Sequence, residues 1–208
     1  MNDNNSRQNA DSDSLNLRID TAGMLHWNGH SFPCAIGKNG VSHAKIEGDG
    51  ATPGGNFSLR RVLYRPDRLA PPHTALPVAP LTPRNSWCTE PSHTLYNQQV
   101  RQPIQASCVL LWRTDLIFDV IVILGHNDSP VLPGIGSAKF MHVAAEDLKP
   151  TKGSIALRKQ DLLTVLRGCD PCAQLYVDAL DAALQNGACG LASTLDHTIR
   201  NTSLMPSN

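Results

Sequence analysis

Nine consecutive residues, Leu116-Ile117-Phe118-Asp119-Val120-Ile121-Val122-Ile123-Leu124, constrain this chain more than any other stretch. β-branched residues dominate them, and such side chains lose rotamer freedom in a helix but pack well on a pleated surface. A run with almost no polar residue has no face to turn toward water, so it reads as a strand buried on both sides. Such a strand needs neighbours beside it and cover on each face. The run is strand-sized, and nowhere does the chain approach the ~20 apolar residues of a membrane-spanning helix.

The flanking sequence offers those neighbours. From Leu15 to about Phe57, short alternating segments (Leu15 to Ile19, Met24 to Trp27, Phe32 to Ile36) are broken by Gly and Asn, which predicts consecutive antiparallel strands. Asn56 to Tyr64 alternates with a shift of phase, Phe57 and Leu59 inward and then Val62 or Leu63, which predicts a bulged strand. Pro66 to Pro83 holds six prolines in eighteen residues and predicts a long surface loop, a candidate wall for a cleft. Helical spacing comes late. Leu162, Leu163, Val165 and Leu166 predict a helix from about Arg158 to Leu166, with Gly168 as its stop. Leu175, Tyr176, Ala179, Leu180, Ala183 and Leu184 share one helical face and predict a second helix over 173–185. Met1 to Ser14 is too poor in apolar residues to offset the entropy of ordering. The chain thus divides into a disordered polar tail (1–14), one domain (15–167) and a helical C-terminal extension (168–208).

Charge excludes some partners. Eighteen Lys and Arg balance eighteen Asp and Glu, so no net field draws the chain to nucleic acid or an anionic membrane. No apolar run of signal-peptide length follows the first residues, which predicts a cytoplasmic protein. Six cysteines would allow complete pairing, but without an export signal reduced thiols are the expectation. Cys169-Asp-Pro-Cys172 has the spacing of redox and zinc sites, yet no second ligand pair accompanies it, so no metal and no cofactor are expected.

Two segments could carry chemistry. Gly136 to Val143 is an apolar stretch holding His142, and Lys149-Pro150-Thr151-Lys152-Gly153-Ser154 follows as a turn leading toward the helix. A histidine on a rigid strand and a hydroxyl after a glycine can meet as base and nucleophile, with turn N–H groups stabilising an oxyanion. By spacing alone, a serine after a glycine near a helix start is far more often a capping residue, and a lone histidine more often a satisfied core residue.

The order of motifs is more specific. Ile36-Gly37-Lys38-Asn39-Gly40-Val41, Thr52-Pro53-Gly54-Gly55-Asn56-Phe57, Tyr64-Arg65-Pro66-Asp67-Arg68, Trp87-Cys88, Tyr96-Asn97, Leu111-Trp112-Arg113, Gly125-His126-Asn127-Asp128, the His142 strand and Thr151-Lys152-Gly153-Ser154 together resemble the peptidoglycan L,D-transpeptidase (YkuD-like) family over about Ile36 to Leu166. The resemblance implies a mainly β, α+β fold: a β-sandwich-like core, a short helix after the nucleophile turn, and the C-terminal extension outside it. It further implies His142 as general base, Ser154 at the place of the family's nucleophilic cysteine, and Gly153 with neighbouring N–H groups as oxyanion donors. Family chemistry is attack on the L-centre carbonyl of diaminopimelate in a stem tetrapeptide, releasing D-alanine; an amine acceptor gives a cross-link and water gives carboxypeptidase action. Peptidoglycan stem peptides or muropeptides are the implied partners, which keeps the cell envelope open as the alternative compartment.

Two departures accompany the serine: Lys152 stands where many members carry His, and Ala156 where many carry Arg. Arg113, Asn127, Arg65 and Arg68 are therefore candidates for a stem-peptide carboxylate, the arginines because their planar fork holds one bidentately. Three readings of Ser154 stay open: an inactivating change, a stem-peptide-binding pseudoenzyme, or a slow serine enzyme.

Overall fold

The computed structural model describes residues 16–178. Three short strands open the chain, β1 (Asn16–Ile19), β2 (Met24–Trp27) and β3 (His30–Ala35), antiparallel in sequence as the Gly and Asn punctuation implies. Next come β4 (Val41–Ser42), β5 (Thr52–Pro53), the ten-residue β6 (Gly55–Tyr64), β7 (Val78–Pro80), β8 (Asn85–Cys88), β9 (Gln99–Arg101) and β10 (Cys108–Leu110). The chain then runs through β11 (Val120–Leu124), β12 (Phe140–Val143), β13 (Ile155–Leu157), helix α1 (Lys159–Leu166) and β14 (Gln174–Val177). Among the described residues no helix is long and apolar enough to cross a membrane.

The main sheet runs β11-β12-β13-β3-β2-β1-β14-β6-β7, and β11 also pairs with β6. β6 makes this closure possible because its two halves have different partners: residues 55–58 pair with β14, and residues from Leu59 to Tyr64 with β11. The expected bulge lies at the start of the half paired with β11, since Leu124 faces Leu59 while Ile123 faces Arg61, leaving Arg60 unmatched. One extra residue bends a strand and sharpens its twist, which lets β6 pass from one neighbour to the next. A separate three-stranded sheet, β10-β8-β9, packs beside it.

β11 is buried on both faces, as its sequence requires. Val120, Val122 and Leu124 join the larger core with Leu17, Ile19, Leu25, Met141, Leu157 and the α1 residues Leu162, Val165 and Leu166. Ile121 and Ile123 face a second core with Trp87, Leu111, Phe118 and Phe140. The strand starts later than the apolar run suggests. Leu116 is exposed and Asp119 N–H donates to Leu116 O in a turn. Asp119, 1% exposed, accepts from Arg68 Nη1 (2.7 Å) and Lys159 Nζ (3.1 Å). A buried carboxylate must be paired, and this pairing fixes the turn before β11.

Three expectations need correction. The turn bearing Ser154 leads into β13, not directly into a helix; Ile155-Ala156-Leu157 is too short for either periodicity to show, and α1 begins two residues later. The predicted 173–185 helix begins instead as β14, inserted between β1 and β6; beyond 178 that helix lies outside the described residues, as do the 1–14 tail and the rest of the C-terminal extension. The Pro66 to Pro83 segment contributes an edge strand, β7, and buries Leu76 and Leu81, so it is a packed flank of the sheet rather than a free loop. Gly168 does follow α1, because a side chain there would collide with Trp27, its ideal Cβ lying 2.2 Å from the indole ring.

Strand and helix at β14 make opposite claims about two adjacent residues: Leu175 is fully buried while Tyr176 is 47% exposed. Leu175→Ala is expected to destabilise by about 3 kcal/mol and Tyr176→Ala by less than ~1 kcal/mol, as measured by urea unfolding. Equal losses at both positions would restore the helical face.

Candidate active site

β12 and β13 are parallel neighbours, Met141 opposite Ile155 and His142 opposite Ala156. Parallel strands need a connection that carries the chain back to the same end, and residues 144–154 supply it. Because side chains alternate along a strand, Met141 and Val143 enter the main core while Phe140 and His142 face the other way, into a cleft of about 770 Å³. Ser154 lines that cleft too. It is walled by residues of the β10–β11 connection (Arg113, Ile117, Phe118), by the β12 approach (Ser137, Ala138, Lys139) and by Glu47 and Gly48. The Pro66 to Pro83 segment, expected as a wall, contributes no lining residue, because β7 ties it to the far side of β6.

The Thr-x-Gly-Ser turn is held by its own side chains. Thr151 Oγ1 accepts from Gly153 N (3.0 Å) and donates to Ser154 O (2.5 Å). Thr151 is also pinned to the first segment of the chain, its N–H donating to Ile36 O (2.8 Å) and its carbonyl accepting from Lys38 N (2.9 Å). Gly153 has φ +109°, and an ideal Cβ would lie 2.4 Å from Ala51 O, so both conformation and close approach demand glycine. The Gly153 N–H, expected to face an oxyanion, is engaged by Thr151 inside the turn.

His142 is buried and donates from Nδ1 to Val143 O (2.8 Å). A carbonyl only accepts, so this bond fixes the proton on Nδ1 and leaves Nε2 as the acceptor, the form a general base needs. Burial, packed edge-to-face against Phe118 at 5.3 Å, holds the imidazole below its usual pKa, opposed by the bond to Val143 O. Ser154 Oγ donates to Ala138 O (3.3 Å) and accepts from Phe140 N (3.3 Å). No hydrogen bond joins it to His142; imidazole and hydroxyl share the cleft without touching as partners.

Of the four carboxylate candidates, Arg113 reaches the cleft, where Asp115 already holds its guanidinium bidentately (2.9 and 2.6 Å). Arg65 is buried, paired with Asp67 and stacked on Trp112 at 3.8 Å. Arg68 binds Asp119 and the carbonyls of Arg113, Thr114 and Asp115. Asn127 clamps its own loop through Leu132 and Gly136. These three therefore shape the cleft wall from behind.

Sequence reasoning missed Lys139. It is 7% exposed, lines the cleft and donates to Lys152 O (3.3 Å) beside the Ser154 turn. Nearby, Lys45 pairs with Asp49 and Tyr96 O–H donates to Glu47, and no carboxylate lies within ion-pair distance of Lys139 among the described residues. Burial first, then the Lys45 charge, pushes its pKa down to about 8, against the opposing pull of Glu47 and Asp49. The signal in the sequence was a lysine set inside an otherwise apolar strand approach, Ser137-Ala138-Lys139-Phe140-Met141. Cys169 and Cys172 show no site: Cys169 is buried, bonded to Val165 O and pushed up to about 12, far from a reactive thiolate, and no metal-binding cluster occurs among the described residues.

A family model described as the L,D-transpeptidase catalytic domain (YkuD) matches residues 19–177, from the end of β1 to the end of β14. No curated protein and no solved structure matches the chain.

Two measurements check this geometry. Gly153→Ala is expected to cost roughly 2 kcal/mol or more from the positive φ and the Ala51 overlap, read by urea unfolding; a neutral result would mean the turn is looser than described. Lys139 is expected to titrate near pH 8 by NMR of its ε-carbon. Its folded pKa lies below the unfolded value of 10.5, so burial of the charged form costs stability below about pH 8 and that cost disappears as pH rises toward 10.5. Lys139→Met should accordingly stabilise at pH 7 and gain little at pH 10; a midpoint above 10 would contradict the burial.

Proposed function

The chain belongs to the L,D-transpeptidase catalytic domain family, a family of peptidoglycan transpeptidases and carboxypeptidases, and from that premise we propose that its cleft binds a peptidoglycan stem peptide with the scissile carbonyl between Ser154 and His142. The observation that carries this reading is the shared cleft: the turn bearing Ser154 and the neutral, Nδ1-protonated His142 line one cavity. In the productive step Ser154 Oγ leaves its bonds to Ala138 and Phe140, gives its proton to His142 Nε2, and attacks the carbonyl of the diaminopimelate L-centre. The tetrahedral oxyanion collapses, the C–N bond breaks, and the proton on His142 passes to the departing D-alanine amine. The resulting ester is resolved by a second stem's amine or by water.

A hydroxyl is a harder group to activate than a thiol with a pKa near ~8.5. Each ~1.4 kcal/mol of misfit in the transition state slows the step about tenfold. In this chain the hydroxyl also rests on the β12 backbone rather than on the base. That observation favours a second reading, in which the cleft binds stem peptides and leaves them intact.

Incubation with a stem tetrapeptide, followed by mass spectrometry for released D-alanine, tests the proposal. Ser154→Cys is expected to release it at least ~10-fold faster than the native chain, and His142→Gln in the Ser154→Cys background to abolish release. Binding by calorimetry without release from the native chain would support the second reading. Neither release nor binding, from either protein, would sink both.

A further inference from the structure

β8 and β10 bring two thiols face to face. Cys88 stands directly opposite Cys108 in their antiparallel ladder. The next pair along is hydrogen-bonded, Thr89 N donating to Ser107 O at 2.8 Å, so Cys88 and Cys108 occupy a non-hydrogen-bonded position. At such positions the Cα atoms approach to ~4.5 Å and the side chains lean together on one face. A disulfide spans Cα separations of ~4.4–6.8 Å. Both cysteines are free thiols, Cys88 buried and Cys108 partly exposed. The other described cysteines are less well placed for exchange: Cys34 and Cys169 are buried thiols pushed up to about 12, and Cys172 lies in the turn before β14, outside the described strands.

We propose that Cys88 and Cys108 are a site of reversible covalent modification, an intramolecular disulfide that clasps β8 to β10 behind the cleft wall. The oxidant is a low-molecular-weight disulfide such as oxidised glutathione. Cys108, the accessible member, loses its proton and attacks one sulfur of the oxidant, whose S–S bond breaks to release one glutathione thiolate. Cys88 then loses its proton and attacks the Cys108 sulfur of the mixed disulfide, releasing the second thiolate. Two protein thiols are oxidised, one oxidant disulfide is reduced to two thiols, and the two protons lost by the protein end on them.

The bond has a structural consequence at the site. The residue after each cysteine, Thr89 and Val109, lines the cleft, and Arg113 follows β10 by three residues. The disulfide fixes the separation of those two walls and closes the chain between 88 and 108 into a ring. Burial and the neighbouring Cys88 raise the Cys108 pKa, so the first step should accelerate as pH rises from 7 to 9.

The test is peptide mapping of the full chain after exposure to oxidised glutathione at pH 8 and alkylation of remaining thiols. Cleavage after Arg84, Arg101 and Arg113 leaves Cys88 alone in peptide 85–101 and Cys108 alone in peptide 102–113. The expected product is these two peptides joined by a disulfide, lost on reduction and absent from Cys108→Ser. Oxidation should also raise the melting temperature by on the order of 5 °C, with no rise in Cys108→Ser. Recovery of Cys108 as a stable glutathione adduct with Cys88 still a thiol, or joined to Cys172 or Cys189, would overturn the proposal. So would a cross-link that leaves the melting temperature unchanged.

Discussion

The pairing of β11 with β12 is the constraint on which the cleft depends. β11 is buried on both faces, with Val120, Val122 and Leu124 in the larger core and Ile121 and Ile123 in the smaller one. Its register with β12 sets Ile121 opposite His142 and Val122 opposite Met141. Once Met141 is committed to the larger core, alternation leaves His142 no choice but the opposite face. A slip of one residue would bury the histidine in hydrocarbon and turn Met141 into the cleft. The imidazole thus owes its place to apolar neighbours that never touch a ligand.

The second fixed point is the Thr151 turn. Thr151 ties it to Ile36 and Lys38 from outside and to Gly153 and Ser154 from within, while Gly153 packs against Ala51 at a distance no side chain tolerates. Ser154 is therefore presented by a braced backbone. What the turn does not supply is a bond between hydroxyl and imidazole: Ser154 Oγ rests on Ala138 and Phe140. Lys139 stands between those two residues in the chain, buried and, among the described residues, without a carboxylate in ion-pair distance. The cleft joins a braced hydroxyl, a neutral imidazole and a buried ammonium in one cavity.

Much of this was readable from residues, and the failures have physical causes. β11 follows from an unbroken β-branched run, the opening hairpins from Gly and Asn punctuation, and the bulged β6 and α1 from apolar periodicity long enough to choose between repeats of 2 and 3.6. β13 and β14 are three and four residues long. At that length Leu175 and Val177 fit an alternating strand, yet Leu175 and Tyr176 also fit a helical face, and only the gap between β1 and β6 decides. His142 and Ser154 were found through the order of motifs. Arg65, Arg68 and Asn127 were chosen for residue type alone; Arg65 has Asp67 two residues away and Arg68 is drawn to the distant Asp119, so their charge is compensated within the fold. Lys139 was overlooked because a strand pattern treats one lysine as an outward residue, and its neighbours Glu47 and Asp49 lie some ninety residues away in the sequence.

The central claim is that the cavity joining His142 and Ser154 is where a stem peptide binds. Amide chemical-shift mapping on addition of a stem tetrapeptide tests it most directly, because it needs no turnover. The account predicts that perturbations gather on Ala138 to His142, Thr151 to Ala156 and Val109 to Phe118, with the groove lined by His26, Trp27 and His30 unaffected. Perturbations confined to that second groove, or none at saturating peptide, would contradict it.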